Sequence, residues 1–218
     1  MMNERYIVII SGPSGSGKTT VAEGLIDKLG NLEMSRSATT RERRPDGKED
    51  EYVYLTVDEF KRSIADGDVL EYTEYGGNFY GTRKSEFERI FGMGKFPILV
   101  LDYVGVKTLR ESLDYPVYAF YIYTSLEEAE ARLRARDMVG EPSEKVKATF
   151  ARRLSENNND YSKISSFAGR YDAFVENAEL DECINTIGGF IDLLREGRAP
   201  MSSGDISDIA SALLAQAK

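Results

Sequence analysis

Apolar positions fall along this chain in two rhythms. Tyr6–Ile10 is a short β-branched run stopped by Ser11-Gly12-Pro13, the pattern of a strand buried on both faces. From Thr19 to Leu29 the spacing changes: Val21, Ala22, Leu25, Ile26 and Leu29 recur at helical intervals until Gly30-Asn31 ends them. Strand, glycine-rich turn and helix open an α/β domain. Pro97–Leu101 and Val117–Tyr123 are further buried-type strands, and Phe174-Val175 is a short last one. Leu126–Arg136, Ser143–Asn157 and Leu180–Leu194 read as helices. Residues 35–85 differ: they are polar, aromatic and turn-rich, with Asp46-Gly47, Asp66-Gly67 and Gly76-Gly77 as turn signals, and predict a small lobe inserted into the parallel-sheet core. Beyond Gly197, Ser202-Ser203-Gly204 reads as a linker before an apolar stripe of Ile206, Ile209, Ala210, Leu213 and Leu214.

Composition narrows what such a chain does. Of its 218 residues, 41% are hydrophobic and 30% charged, enough for one sizeable core. With 28 basic against 37 acidic residues the net charge is −9, which argues against a nucleic-acid or membrane-surface binder. The absence of histidine removes every His-dependent mechanism, and the single cysteine, Cys183, removes disulfides and Cys-rich zinc sites. No apolar run approaches the ~18 residues of a membrane span. A cytoplasmic location is expected.

The chemistry starts at the first turn. Gly12-Pro13-Ser14-Gly15-Ser16-Gly17-Lys18-Thr19 matches G-x-x-x-x-G-K-[ST] and sits between a buried strand and a helix, where the motif must lie to work. The glycines let successive N–H groups turn around phosphate oxygens, and the helix N-terminus adds partial positive charge. Lys18 brings a mobile charge to the transferring phosphate, and Thr19, followed by Thr20, offers a hydroxyl to Mg²⁺. The motif implies a nucleoside triphosphate and leaves the acceptor open.

A second anion site is suggested by Ser35–Pro45, where an acidic chain places four arginines (Arg36, Arg41, Arg43, Arg44) within nine positions. Tyr52, Glu71, Tyr80, Gly81 and Thr82 follow. A carboxylate such as Glu71 accepts from the N1–H and amine of guanine together, and adenine offers no such donor pair. The ordered set Ser-x-Thr-Thr-Arg-x-x-Arg, Tyr-x-Tyr, Leu-Glu-Tyr and Gly-Asn-Phe-Tyr-Gly-Thr resembles the guanylate kinases, from about Tyr6 to Leu194. That resemblance implies a parallel-sheet P-loop kinase core (1–34 and 86–196), a GMP-binding lobe (35–85) and a helical lid (132–155), together one domain over 1–196 with a tail at 197–218. It implies transfer of the γ-phosphate of ATP to GMP or dGMP with Mg²⁺, by a monomer or homodimer that takes neither nucleic acid nor membrane as partner. It assigns the GMP phosphate to Ser37, Arg41, Arg44, Tyr52 and Tyr80, with Gly81 beside them, and the guanine to Glu71, Thr82 and Asp102. Arg132, Arg136 and Arg153 become lid arginines, Asn177 a neighbour of adenine, and Lys18, Arg44, Arg136 and Arg153 the catalytic charges.

The lid assignment has its own support in charge. Residues 132–153 hold seven basic side chains against three acidic ones, an excess of +4 in a chain of net −9. Joining two polyanions needs positive charge around the transfer point, and a closing helix–loop–helix supplies it while excluding water. Arg134 and Arg152 read instead as a solvated face. Three features depart from the family pattern. Leu99-Val100-Leu101-Asp102 stands where Leu-Asp-Ile-Asp is usual, so Val100 replaces a carboxylate that the resemblance places near the Mg²⁺ water shell, unless another acid supplies it. The stretch from Arg44 to Tyr52 is short and acidic (Glu49-Asp50-Glu51), and Asn157 through Gly169 departs from the usual helix continuation. Two other readings stay open: a catalytically weak or silent binding module, which the intact Gly17-Lys18-Thr19 opposes, and a related kinase for another small phosphorylated acceptor, which Glu71 and Asp102 oppose.

Overall fold

A computed structural model describes residues 5–43 and 52–217. The chain runs β1 (Ile7–Ser11), α1 (Lys18–Leu29), β2 (Leu32–Met34), β3 (Ser37–Thr39), β4 (Tyr52–Tyr54), α2 (Val57–Ala65), β5 (Val69–Tyr75), β6 (Asn78–Arg83), α3 (Lys84–Gly92), β7 (Phe96–Val100), α4 (Tyr103–Ser112), β8 (Val117–Tyr123), α5 (Leu126–Asp137), α6 (Glu144–Phe167), β9 (Ala173–Glu176), α7 (Leu180–Arg195) and α8 (Ser203–Leu214), with one 3₁₀ turn at Ala168–Arg170.

β1 is buried throughout, and its residues divide by parity. Val8 and Ile10 enter an apolar cluster with Val21 and Leu25 of α1 and Ile184 and Ile187 of α7. Ile7 and Ile9 enter a second cluster with Val106 of α4, Tyr161 and Ile164 of α6, and Ile206 and Leu213 of α8. A strand that feeds two cores carries no polar alternation, which is why β1 reads as a continuous apolar run. The five strands are parallel in the order β2-β7-β1-β8-β9. The chain leaves β1 toward opposite edges of this sheet, and ligands of such folds bind beyond the strand ends at that switch.

Residues 37–83 build a second, four-stranded sheet, β4-β3-β6-β5, with its own small core of Ala38, Phe60 and Val69. The turn between β5 and β6 has Gly76 and Gly77 at φ 60° and 75°, the left-handed pair of a tight hairpin. In α2, Thr56 accepts from Glu59 N while the Glu59 carboxylate accepts from Thr56 N, a reciprocal cap that the aromatic texture of this stretch hides.

Two expectations fail in this half of the chain. α6 does not stop at Asn157 but continues to Phe167, 24 residues in all. Phe150, Asn157, Tyr161, Ile164 and Phe167 are all buried on it, so packing of one stripe outweighs the poor helix propensity of Asn157-Asn158-Asn159. Ser202-Ser203-Gly204 is not a linker either: Ser202 caps α8 in a reciprocal pair with Asp205, and Ser203 and Gly204 are its first turn. The stripe on α8 then closes the second core over α6 and the 3₁₀ turn, with Ile206, Ala210 and Leu213 buried. Replacing Leu213, 2% exposed, by Ala is expected to cost about 2–5 kcal/mol of stability. Denaturant unfolding checks this; an unchanged midpoint would mean that α8 contributes nothing to the core.

Candidate active site

The loop between β1 and α1 is shaped by what surrounds it. Gly12, Gly15 and Gly17 sit at φ 142°, 88° and 89°, which L side chains rarely adopt. A Cβ at Gly12 would lie 2.0 Å from Ile122 O, one at Gly15 2.5 Å from Ala129 O, and one at Gly17 2.5 Å from Asn177 Nδ2. Ser16 N donates to Pro13 O at 3.2 Å, and Ser14 N donates to Asn157 Oδ1 at 2.7 Å. The helix geometry of α1 leaves the N–H groups of Lys18, Thr19 and Thr20 without intrahelical partners, facing outward from its first turn.

A cavity of about 340 Å³ opens over this loop, lined by Ser14, Gly15, Gly17, Lys18, Thr19 and Thr20 below and by Arg132, Arg136 and Arg153 above. Lys18 Nζ donates to Gly12 O and Pro13 O, both at 2.9 Å, and among the described residues no carboxylate pairs with it directly. Burial pulls its pKa down to about 8; the charge of Asp160 opposes this, and Arg136 and Arg153 push the same way. Asp160, on α6, is in turn pushed up to about 6 by burial and by the charge of Asp102, with Lys18 opposing. The two lid arginines share one counterion. Asp137 takes Arg136 Nε at 2.7 Å and also accepts from Arg153 Nη1. Arg132 bridges Glu128 and Asn177 O.

The small sheet brings the acceptor candidates together by register. Ser37 pairs with Tyr52 and Thr39 with Tyr80, so Tyr52 and Tyr80 meet edge to face at 6.2 Å. The guanidinium of Arg41 lies 5.4 Å over the Tyr52 ring, and its Nη1 is buried with no partner among the described residues. A buried cationic donor left unpaired is expensive and marks where an anionic oxygen belongs. Glu71 and Thr82 sit opposite each other on β5 and β6, and Thr82 Oγ1 donates to Glu71 Oε1. Burial pushes the Glu71 carboxyl above its ordinary pKa, the Thr82 hydrogen bonds oppose this, and the charge of Asp102, at the start of α4, adds to it.

Several of the expected site residues make structural contacts of their own. Asn177 is 4% exposed and its Nδ2 donates to Ser16 O at 2.7 Å; its amide is spent bracing the loop and does not line the nucleotide cavity. Gly81 lies on the opposite face of β6 from Tyr80 and Thr82, where a Cβ would meet Phe60 Cζ at 3.1 Å, so its place is packing. The Ser14 N–H is not free for phosphate. Of the arginine cluster, Arg36 is neutralised by Glu86, and Arg44 lies outside the described residues, as does Glu49-Asp50-Glu51. Asp102 also caps α4, accepting from Gly105 N at 2.9 Å. Arg134 and Arg152 pair with Glu130 and Glu156 on the solvent side, as the sequence reading has them. Asp160 and Asn157 were missed, although both continue the buried stripe of α6 past the asparagine run.

Comparison with known proteins agrees with the geometry. The family model described as Guanylate kinase matches residues 4–193. A guanylate kinase from Hydrogenovibrio crunogenus is 37% identical over 183 residues, covering 83% of this chain and 84% of the relative. One from Sus scrofa is 34% identical over 178 residues, covering 80% and 86%. Among solved structures, guanylate kinase from Anaplasma phagocytophilum superposes with a TM-score of 0.60 at 27% identity, over 93% of this chain and 90% of that one.

The depressed pKa of Lys18 sets a pH signature. A bound triphosphate favours the charged amine and raises its pKa, so above about pH 8 the complex holds more protons than the free protein. Triphosphate binding is therefore expected to take up a proton near pH 9 and almost none near pH 7, with affinity falling as pH rises past 8. Calorimetry in buffers of different ionisation enthalpy measures the uptake, and equal uptake by the Lys18→Met variant would contradict the assignment.

Proposed function

The chain belongs to the guanylate kinase family, and we propose how its side chains divide the transfer of the γ-phosphate of ATP to GMP, giving GDP and ADP. The observation that carries this reading is the pairing of two separate cationic sites: Lys18 at the loop, hydrogen-bonded to neutral carbonyls, and Arg41 in the small lobe, whose buried Nη1 has no partner among the described residues. Among the described residues neither makes an ion pair with a carboxylate, which fits a protein that receives phosphate at both.

In this reading the free amides of Gly15, Gly17, Lys18 and Thr19 receive the triphosphate, and Lys18 exchanges the carbonyls of Gly12 and Pro13 for phosphate oxygens. Ser37, Arg41, Tyr52 and Tyr80 hold the GMP phosphate, with Arg44 assigned by family likeness alone. Glu71, Thr82 and Asp102 face the guanine. Glu71 in its carboxylate form accepts from N1–H and the amine, and binding compensates the burial that disfavours its charge. dGMP, which presents the same base and phosphate, is an acceptor of the same class. Arg136 and Arg153 release Asp137 and turn to the oxygens on which charge develops, while the acceptor oxygen is aligned with the γ-phosphorus. No covalent intermediate is required.

A divalent metal fits this site as a guest of the substrate. Among the described residues no group of three or more carboxylate, thiol or imidazole side chains forms a metal cage. The Thr19 hydroxyl and the Asp160 carboxylate are hard oxygen donors near Lys18, suited to an Mg²⁺ that keeps most of its waters. Bound there, Mg²⁺ would neutralise the β- and γ-phosphate oxygens. Val100 packs beside the first core cluster and supplies no donor, so Asp160 is the acid that would stand in for the missing carboxylate. A cytoplasmic location is consistent with a lone, buried Cys183 and with the lack, among the described residues, of a helix long and apolar enough to cross a membrane.

A coupled assay with ATP and a panel of nucleoside monophosphates tests the reading. GMP should be the preferred acceptor, and equal use of AMP or CMP would remove the guanine assignment. Lys18→Ala should lower turnover by roughly 10²-fold or more, since charge stabilisation dominates this chemistry. Glu71→Gln turns one acceptor into a donor aimed at guanine donors; GMP use should fall by about 10²-fold or more with ATP binding intact.

A further inference from the structure

Asn157 is a buried, doubly hydrogen-bonded polar side chain that the chemistry above does not use. It sits in the interior of α6, 2% exposed, at a position where asparagine is a poor helix former. Its amide makes a two-pronged contact with one residue of the phosphate loop: Oδ1 accepts from Ser14 N and Nδ2 donates to Ser14 O, both at 2.7 Å. The orientation of the amide is fixed by this pairing, because a flipped side chain would oppose donor to donor and acceptor to acceptor.

Two consequences follow from elementary geometry. In a trans peptide the C=O of one residue and the N–H of the next point in opposite directions. Holding Ser14 O toward α6 therefore aims Gly15 N–H away from α6, and Asn177, holding Ser16 O at 2.7 Å, aims Gly17 N–H away from Asn177. Two asparagines from different elements thus fix two carbonyls of the loop and orient the two glycine amides that follow them. The second consequence concerns α6. Residues one turn apart lie on one face of a helix, so Arg153, Asn157 and Asp160 form a single stripe. Arg153 lines the nucleotide cavity and the charge of Asp160 acts on Lys18. Pinning Asn157 to the loop sets both at fixed height over the phosphate site. Below it, Tyr161 Oη donates to Thr124 O at 2.6 Å, so α6 is anchored from Asn157 onward.

We propose that Asn157 is a positioning residue that locks α6 to Ser14, fixes the orientation of the Gly15 N–H at the triphosphate loop and marks the fixed end of the lid arm, so that closure moves the residues before it. This rests on the functional reading above, since it gives the triphosphate site its donors.

The test is direct titration of ATP into wild type, Asn157→Ala and Asn157→Asp, with steady-state rates for ATP and GMP alongside. Asn157→Ala leaves both Ser14 groups unpaired, and ATP affinity should fall roughly tenfold or more. The GMP KM should stay within about twofold, because the hydrogen bonds of Asn157 go to Ser14 and not to the described residues of the acceptor lobe. Asn157→Asp keeps the shape and the acceptor for Ser14 N but, ionised, cannot donate to Ser14 O. Its ATP affinity should lie between the other two and recover toward wild type as pH falls and the acid gains its proton. Because it is nearly isosteric, it decides the matter if the Ala variant does not fold. Unchanged ATP affinity in a folded variant, or equal losses for ATP and GMP, would overturn the proposal. Wild-type turnover of GMP separately judges the functional reading, and the ATP titration needs no acceptor.

Discussion

A loop that turns its amide hydrogens to one side must have its carbonyls held on the other. That constraint shapes the protein around Gly12–Thr19. The backbone reaches the required conformation only through left-handed glycines, and these are walled in by Ile122 O, Ala129 O and Asn177. Those walls belong to β8, α5 and the residue after β9, so the parallel sheet serves less as a generic scaffold than as the means of bringing three remote segments against one turn. Adding a methyl group at Gly12 would press on a strand carbonyl at 2.0 Å, and a strand buried on both faces has nowhere to move.

Charge is organised on the same principle of readiness. The lid arginines are provisionally neutralised: Arg136 and Arg153 by Asp137, Arg132 by Glu128. Half-exposed pairs of this kind are worth ~0–1 kcal/mol, so phosphate can displace the carboxylates at little cost. Lys18 and Arg41 are treated differently. Lys18 rests on neutral carbonyls, and one nitrogen of Arg41 has no partner among the described residues. On the proposed reading the cations at the two phosphate positions make no ion pair among the described residues, while those that would travel are parked on exchangeable partners. A chain of net charge −9 can hold two polyanions together because its local fields, not its total, decide.

The sequence showed the parts of this arrangement that are local. The phosphate loop, β1, α1 and β8 were readable because a buried strand, a glycine pattern and a helical repeat each leave a contiguous signature. The acceptor set was readable as a family resemblance, and the structure brings Ser37, Arg41, Tyr52 and Tyr80 to one place and Glu71, Thr82 and Asp102 to another. What escaped was decided by tertiary contact. The contact of the Asn177 amide with Ser16 O, 161 positions away, leaves no local signature. A strand turns neighbours to opposite faces, so adjacency does not by itself put Gly81 beside the side chains of Tyr80 and Thr82. The asparagine run 157–159 read as the end of a helix because propensity favours that; burial of Tyr161, Ile164 and Phe167 carries α6 on. α8 looked detachable because its cap, Ser202, resembles a linker residue.

The exchange between positions 100 and 160 shows how such contacts relocate chemistry. Val100, partly buried, packs against the first core cluster, an apolar surface that would disfavour a carboxylate. Asp160 brings its acid from a helix, with a face toward Lys18, so its charge is compensated by the lysine and can be more so by a metal-bound triphosphate. Its carboxyl is pushed up to about 6 while the charge of Asp102 stands near and no cation but the lysines opposes it. Below that pH the free protein carries Asp160 protonated, and any cation arriving with the triphosphate favours the ionised form. On the proposed reading a metal and a proton would compete for the same oxygen atoms, and the helix that carries them is the one Asn157 ties to the loop.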